Sequence, residues 1–100
     1  MIKFIHLRLH EDGELCAEGG ITIAYKIENN LIKYSLAKCH WRDNYNKKRG
    51  RDISMGRLLK NVLVITLPCL SEISPKSQIT DNIYQSYISN GYEQLTEILY

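Results

Sequence analysis

Much that would mark a function is missing from this 100-residue chain. Its three cysteines (Cys16, Cys39 and Cys69) are odd in number, far apart and without a CxxC pair, which argues against a disulfide framework and fits reduced thiols used as small packing residues. The longest apolar run, residues 62–67, contains a threonine and falls far short of the roughly 20 residues a bilayer-spanning helix needs. The opening MIKFIHLRLHEDG places charges inside its apolar stretch, so it lacks the continuous apolar region of a secretory signal, and a cytoplasmic location is expected. No glycine-rich elbow or serine-nucleophile motif is present. Nor is there a helix-turn-helix, zinc-finger, RRM or KH signature.

What is present fits one small domain, residues 1–100, with room for a single core. Hydrophobic residues make up 44% and charged residues 24%, ordinary values for a soluble globular chain and unlike those of disordered or low-complexity segments. The net charge of +2 conceals a partition. Residues 1–41 balance, residues 61–100 are acidic, and residues 42–60 set Arg42, Lys47, Lys48, Arg49, Arg51, Arg57 and Lys60 against only Asp43 and Asp52. That distribution predicts a basic patch on the surface rather than a basic protein.

Alternation of apolar and polar residues predicts strands at 2–10, 21–27 and 31–38. The first places Ile5, Leu7 and Leu9 on one face and Phe4, His6, Arg8 and His10 on the other. Glu28-Asn29-Asn30 reads as a tight hairpin connection, because asparagine tolerates the left-handed backbone such turns demand. Residues 45–60 contain no proline and predict a helix capped by Asp43, with Gly50 and Gly56 as points of weakness. On a helical wheel its apolar stripe is Tyr45, Ile53, Met55 and Leu59 around Gly56, with Lys47 and Arg51 opposite. Residues 62–67 predict a fourth strand, Thr80-Asp81 caps a second helix ending at Asn90-Gly91, and residues 92–99 suggest a last short helix. The expected fold is α+β: an antiparallel β-meander of three strands plus a fourth, covered on one face by the basic helix and the C-terminal helices.

Each candidate site has a plain alternative. His6 and His10 would sit about 13 Å apart along a strand, too far to share an ion, so no metal is expected. Cys39 and His40 adjoin in sequence, but neighbours on an extended chain point to opposite faces, so they form no catalytic dyad; with no other constellation to assign, neither catalysis nor a cofactor is expected. The basic segment is more informative. Lys47, Lys48, Arg49, Arg51 and Arg57, joined by Arg42, supply charges for phosphates, and Trp41 and Tyr45 supply rings for stacking on bases. The competing account is a solvated helix face, or one paired with acidic groups such as Glu93 and Glu97. Tyr84, Tyr87, Tyr92 and Tyr100 crowd the C-terminal third and suggest either an interface or a cap on a thin core.

Ala37, Cys39, Asp43, Tyr45, Lys47-Lys48, Gly50-Arg51, Ile53 and Gly56-Arg57-Leu58 together resemble a segment of small bacteriophage-encoded proteins of unassigned function, in which phenylalanine is common where Tyr45 stands. The likeness spans about a quarter of the chain and implies a viral accessory protein in the bacterial host cytoplasm; it implies no activity. Two functions follow as expectations. One is a non-enzymatic protein whose basic helix binds nucleic acid or a nucleic-acid-bound host complex. The other is an inhibitor or adaptor that binds a host defence or replication protein and no free nucleic acid. A homodimer is compatible with both, and no membrane association is expected.

Overall fold

The computed structural model describes residues 1–11, 13–40, 42–88 and 95–97. Among them the order is β1 (Lys3–Glu11), β2 (Glu14–Leu15), β3 (Ile21–Glu28), β4 (Leu31–Lys38), α1 (Lys47–Leu59), β5 (Ile65–Pro68), α2 (Pro75–Ile88) and β6 (Leu95–Glu97). The strands form one antiparallel sheet running β2-β1-β3-β4-β5, with β6 also pairing with β1. The fold is α+β, as the sequence predicts. No described helix is long and apolar enough to cross a membrane.

The β3–β4 hairpin turns on Asn29 and Asn30 at φ 52° and 61°, the two left-handed residues of a type I′ turn, which matches the right-handed twist of the flanking strands. Its register, Ile23 opposite Leu36 and Tyr25 opposite Tyr34, sorts side chains by parity. One face collects Ile5, Leu7, Ile21, Ile23, Tyr25, Ile32 and Tyr34, and α2 closes it with Ile79 and Ile83, four residues apart on one helical stripe. Asn82 of the same helix donates from Nδ2 to the Tyr34 hydroxyl, which satisfies a phenol with no exposed surface.

The other face corrects the expected architecture. The sheet is covered on both sides, not one: Thr22, Ala24 and Ser35 have no exposed surface and Ala37 only 6%, because α1 lies across them. These side chains are small, so the helix approaches closely and buries small residues of its own. A Cβ built on Gly50 would stand 2.2 Å from Thr22 Oγ1, so only glycine fits that contact. Ser54 is fully buried, its hydroxyl donating to the Gly50 carbonyl at 2.8 Å, and Leu58 completes the contact stripe.

The predicted docking stripe is therefore displaced. Leu59 is 63% exposed and Ile53 37%, while the buried line runs through Gly50, Ser54 and Leu58. The helix starts at Lys47 on an Asn46 cap, whose side chain accepts from the Arg49 amide at 3.0 Å, rather than on Asp43. It runs unbroken through Gly50.

Three other boundaries move. The fourth long strand occupies Ile65–Pro68 rather than 62–67. The second helix begins at Pro75, where Ser74 Oγ accepts from the Ser77 amide at 3.1 Å, a proline-at-N1 start that precedes the expected Thr80 cap. Residues 95–97, expected in a helix, form β6 against Leu7–Leu9; Glu97 pairs with Lys76 at 2.8 Å rather than with the basic segment. The expected stop at Asn90-Gly91, Glu93, Tyr92, Tyr100 and the Tyr87 side chain lie outside the described residues. Tyr84 is half-buried against the core.

Candidate functional site

The loop between β4 and α1 is held down by a tyrosine. Tyr45 reaches onto the sheet over Gly20, where a Cβ would meet the ring at 2.7 Å and the Leu7 carbonyl at 2.9 Å; Gly20 also sits at φ +103°, a backbone that side-chain-bearing residues rarely adopt. The Tyr45 hydroxyl lies 2.7 Å from His6 Nδ1 and 2.7 Å from Thr22 Oγ1. The direction follows the imidazole tautomer: an unprotonated Nδ1 accepts from Tyr45, which leaves the phenol oxygen to accept from Thr22, whereas an Nδ1–H donates to Tyr45, which then donates to Thr22. Arg8 covers the ring with its guanidinium carbon 4.6 Å from the centroid, a cation–π contact.

Around this anchor the loop is knitted by main-chain bonds: Gly19 N–H to Asp43 carbonyl, Tyr45 N–H to Ala17 carbonyl and Cys39 N–H to Gly20 carbonyl, at 2.8–3.0 Å. The Cys39 thiol points at the Asp43 carbonyl, 3.3 Å away, and burial raises its pKa above the ordinary 9.0. It is held as a thiol donor rather than an activated thiolate. His40 Nδ1 accepts from the Arg42 amide at 3.2 Å, so the two neighbours serve different local bonds. The described residues contain no cluster of three or more metal-ligating side chains.

His6 is 6% exposed. Burial lowers its pKa from 6.5, and the positive charges of Arg51 and Lys47 push the same way. The folded pKa thus lies below the unfolded one, so the unfolded chain binds more protons as the solution acidifies. Stability from this site is complete above the unfolded value of 6.5 and is lost as pH falls toward the folded pKa. Melting scans should show the melting temperature declining below about pH 6.5, with a shallower decline in His6→Gln. A second expectation concerns the anchor: Tyr45→Phe keeps the ring but strips partners from two buried groups, at a cost of about 1–3 kcal/mol in urea unfolding.

Beside the anchor lies a cleft of about 450 Å³. Thr22, Ala37 and Cys39 line it from the sheet, Asp43 to Asn46 from the loop, and Arg49, Gly50 and Ile53 from α1, with Lys38 and His40 among its lining residues.

No protein family, curated protein or solved structure matches this chain.

The expected contact residues therefore divide by their surroundings. Arg42, Lys47, Lys48 and Arg49 are exposed and flank or form the first turn of α1. Lys48 meets Asp52 only loosely, at 3.8 Å with side chains 83% and 62% exposed, a pair worth little in water. Arg51 is half-buried on the flank facing His6. Arg57 is half-buried and donates to the Leu36 carbonyl at 2.6 Å, satisfying a backbone acceptor of β4. Tyr45, with its hydroxyl bonded and a face under Arg8, is an anchor and has no free face for a base to stack on at the Arg8 side. Trp41 lies outside the described residues. Sequence reasoning missed Lys38 and His40 as cleft residues, since neither carries a signal until the chain folds the end of β4 beside α1.

Proposed function

We propose that the chain is a non-enzymatic accessory protein of phage type that binds nucleic acid, or a host complex carrying it, through the exposed cations at the start of α1 and the adjoining cleft. One observation carries this reading. The helix opens on Lys47-Lys48-Arg49 with no acidic residue in its first turn, where the macrodipole is positive and cations are unfavourable by about 0.3–1 kcal/mol each at low ionic strength. The arrangement lowers helix stability, and a bound phosphate would offset that penalty. Phosphate fits because helix N-termini offer both amide donors and favourable field to anions, and the nearby Lys38 extends the same sign of charge.

The contacts are to backbone phosphates, with no arrangement for reading base edges, so binding is weakly selective in sequence and steeply salt-dependent. Fluorescence-anisotropy titrations with single- and double-stranded DNA and RNA should show binding at low salt, with the logarithm of affinity falling linearly against the logarithm of salt concentration. No binding to any of the four probes would sink the reading. A partner retained from nuclease-treated host lysate in that case would favour the inhibitor or adaptor function instead.

A further inference from the structure

The stretch from residue 59 to 73 exposes Leu59, Val62, Leu63, Ile65, Leu70 and Ile73 by 40–73%, and residues 61–71 contain no charge. At its centre lies β5, the last strand of the sheet's order among the described residues. Edge strands are normally blunted by shortness, by proline or by charge, often lysine; this one is short and ends on Pro68 but carries no charge.

The direction of its backbone groups follows from the ladder. Cys39 N–H bonds to the Gly20 carbonyl and Cys69 N–H to the Asn30 carbonyl, so odd residues of β4 face β3 and even ones face β5. With Ile32 opposite Leu67 and Tyr34 opposite Ile65, Ile65 and Leu67 bond inward, while Val64, Thr66 and Pro68 turn their backbone groups outward. Pro68 has no N–H to offer, so the outward donors are the amides of Val64 and Thr66. Next to them Leu63 is 73% exposed at φ 52°, a left-handed conformation that is an outlier for a bulky residue. The fold enforces it: the buried Ser35 hydroxyl reaches the Val62 and Leu63 carbonyls at 3.0 and 2.9 Å.

We propose that β5 is a homodimer edge: two copies pair antiparallel about a two-fold axis at Ile65, Val64 of each facing Thr66 of the other. The occupant is a second copy because this register is self-complementary. It exchanges four main-chain hydrogen bonds, uses every outward amide, leaves Pro68 outside the bonded pairs, and sets Leu63 of each copy beside Leu67 of the other. An uncharged edge brings no like charges together at the axis, and the cations at the start of α1 lie beside the opposite half of β4 from β5.

Sedimentation velocity of the full chain without nucleic acid tests this. The expected mass is twice 11.6 kDa, dissociating on dilution. Thr66→Pro removes an outward N–H without touching the bonds to β4, is tolerated on an edge strand, and should raise the dissociation constant at least about tenfold through loss of two main-chain hydrogen bonds per dimer. Leu63→Lys, at an exposed position, should do the same by charge and serves if the proline variant fails to fold. A chain that sediments at 11.6 kDa at every concentration overturns the proposal, as does a dimer that both folded variants leave intact. Because no nucleic acid is present, the outcome is independent of the binding titrations above.

Discussion

Arg49→Glu should make the protein more stable and a worse ligand for nucleic acid at once. Residue 49 occupies the third helical position after the Asn46 cap, where glutamate completes a capping box by reaching back to the cap residue's own N–H. It also replaces an unfavourable charge at the positive end of the helix with a favourable one. Together these should contribute about 1 kcal/mol, or roughly 4–8 °C in melting temperature for a chain of this size. If α1 binds nucleic acid as proposed, the same change replaces a phosphate contact with a repulsion, so affinity for duplex DNA should fall about tenfold or more at moderate salt, with the salt slope shallower by about 0.9. Calorimetry and anisotropy on one preparation read both effects. A stabilised variant that binds as tightly as its parent would mean that the first turn of α1 is a solvated surface and nothing more.

Alanine substituted at the two glycines of α1 should act with opposite signs. At Gly50 the new Cβ would stand 2.2 Å from Thr22 Oγ1 and 2.8 Å from Thr22 Cβ, a contact with a fully buried side chain that can only be relieved by lifting the helix. Lifting it draws the Tyr45 hydroxyl, two residues before the helix, away from Thr22 and loosens the loop that Tyr45 anchors. Overpacking at about 1–3 kcal/mol and a lost buried hydrogen bond at about 1–3 kcal/mol outweigh the gain of about 1 kcal/mol in helix propensity. A net loss of about 2–4 kcal/mol is expected, which lowers the melting temperature by on the order of 10–20 °C. At Gly56 nothing lies within 4 Å of a built Cβ, so Gly56→Ala should stabilise by about 0.4–1 kcal/mol. Denaturant unfolding of the pair decides the matter: equal stabilisation at both sites would mean that α1 does not seat on Thr22.

The segment from Ala37 to Arg57 stands out in the sequence for its charge, yet several of its residues hold it in place. Ala37, Cys39, Tyr45, Gly50 and Arg57 make a seat, a thiol bond, an anchor, a contact point and a backbone donor, while Arg42, Lys47, Lys48 and Arg49 face solvent. Periodicity cannot separate these roles. A wheel ranks residues by hydrophobicity and therefore chose Ile53, Met55 and Leu59 as the buried stripe, whereas the sheet face below is built of Thr22, Ala24, Ser35 and Ala37 and selects Gly50 and Ser54 by size. The small residues at alternate positions of β3 and β4, taken with Gly50 and Ser54 four apart, were the available sign of a second covered face. His6 gave no sign of its burial, because its cover is Tyr45, thirty-nine residues away.

Local chemistry determined the long strands of the meander, the Asn29-Asn30 turn, the existence of two helices and the basic character of the segment after β4. All of these follow from side-chain alternation, backbone preference and charge over a few consecutive residues. Tertiary structure alone decided that helices cover both faces of the sheet, which stripe of α1 is buried, that residues 95–97 join β1 as a strand, and which cations remain at the surface. Each of those depends on the shape and spacing of a partner distant in the chain: a close approach to Thr22, a free edge of β1, a carbonyl of Leu36. The same contacts leave Arg42, Lys47, Lys48 and Arg49 exposed where the field of α1 is already positive.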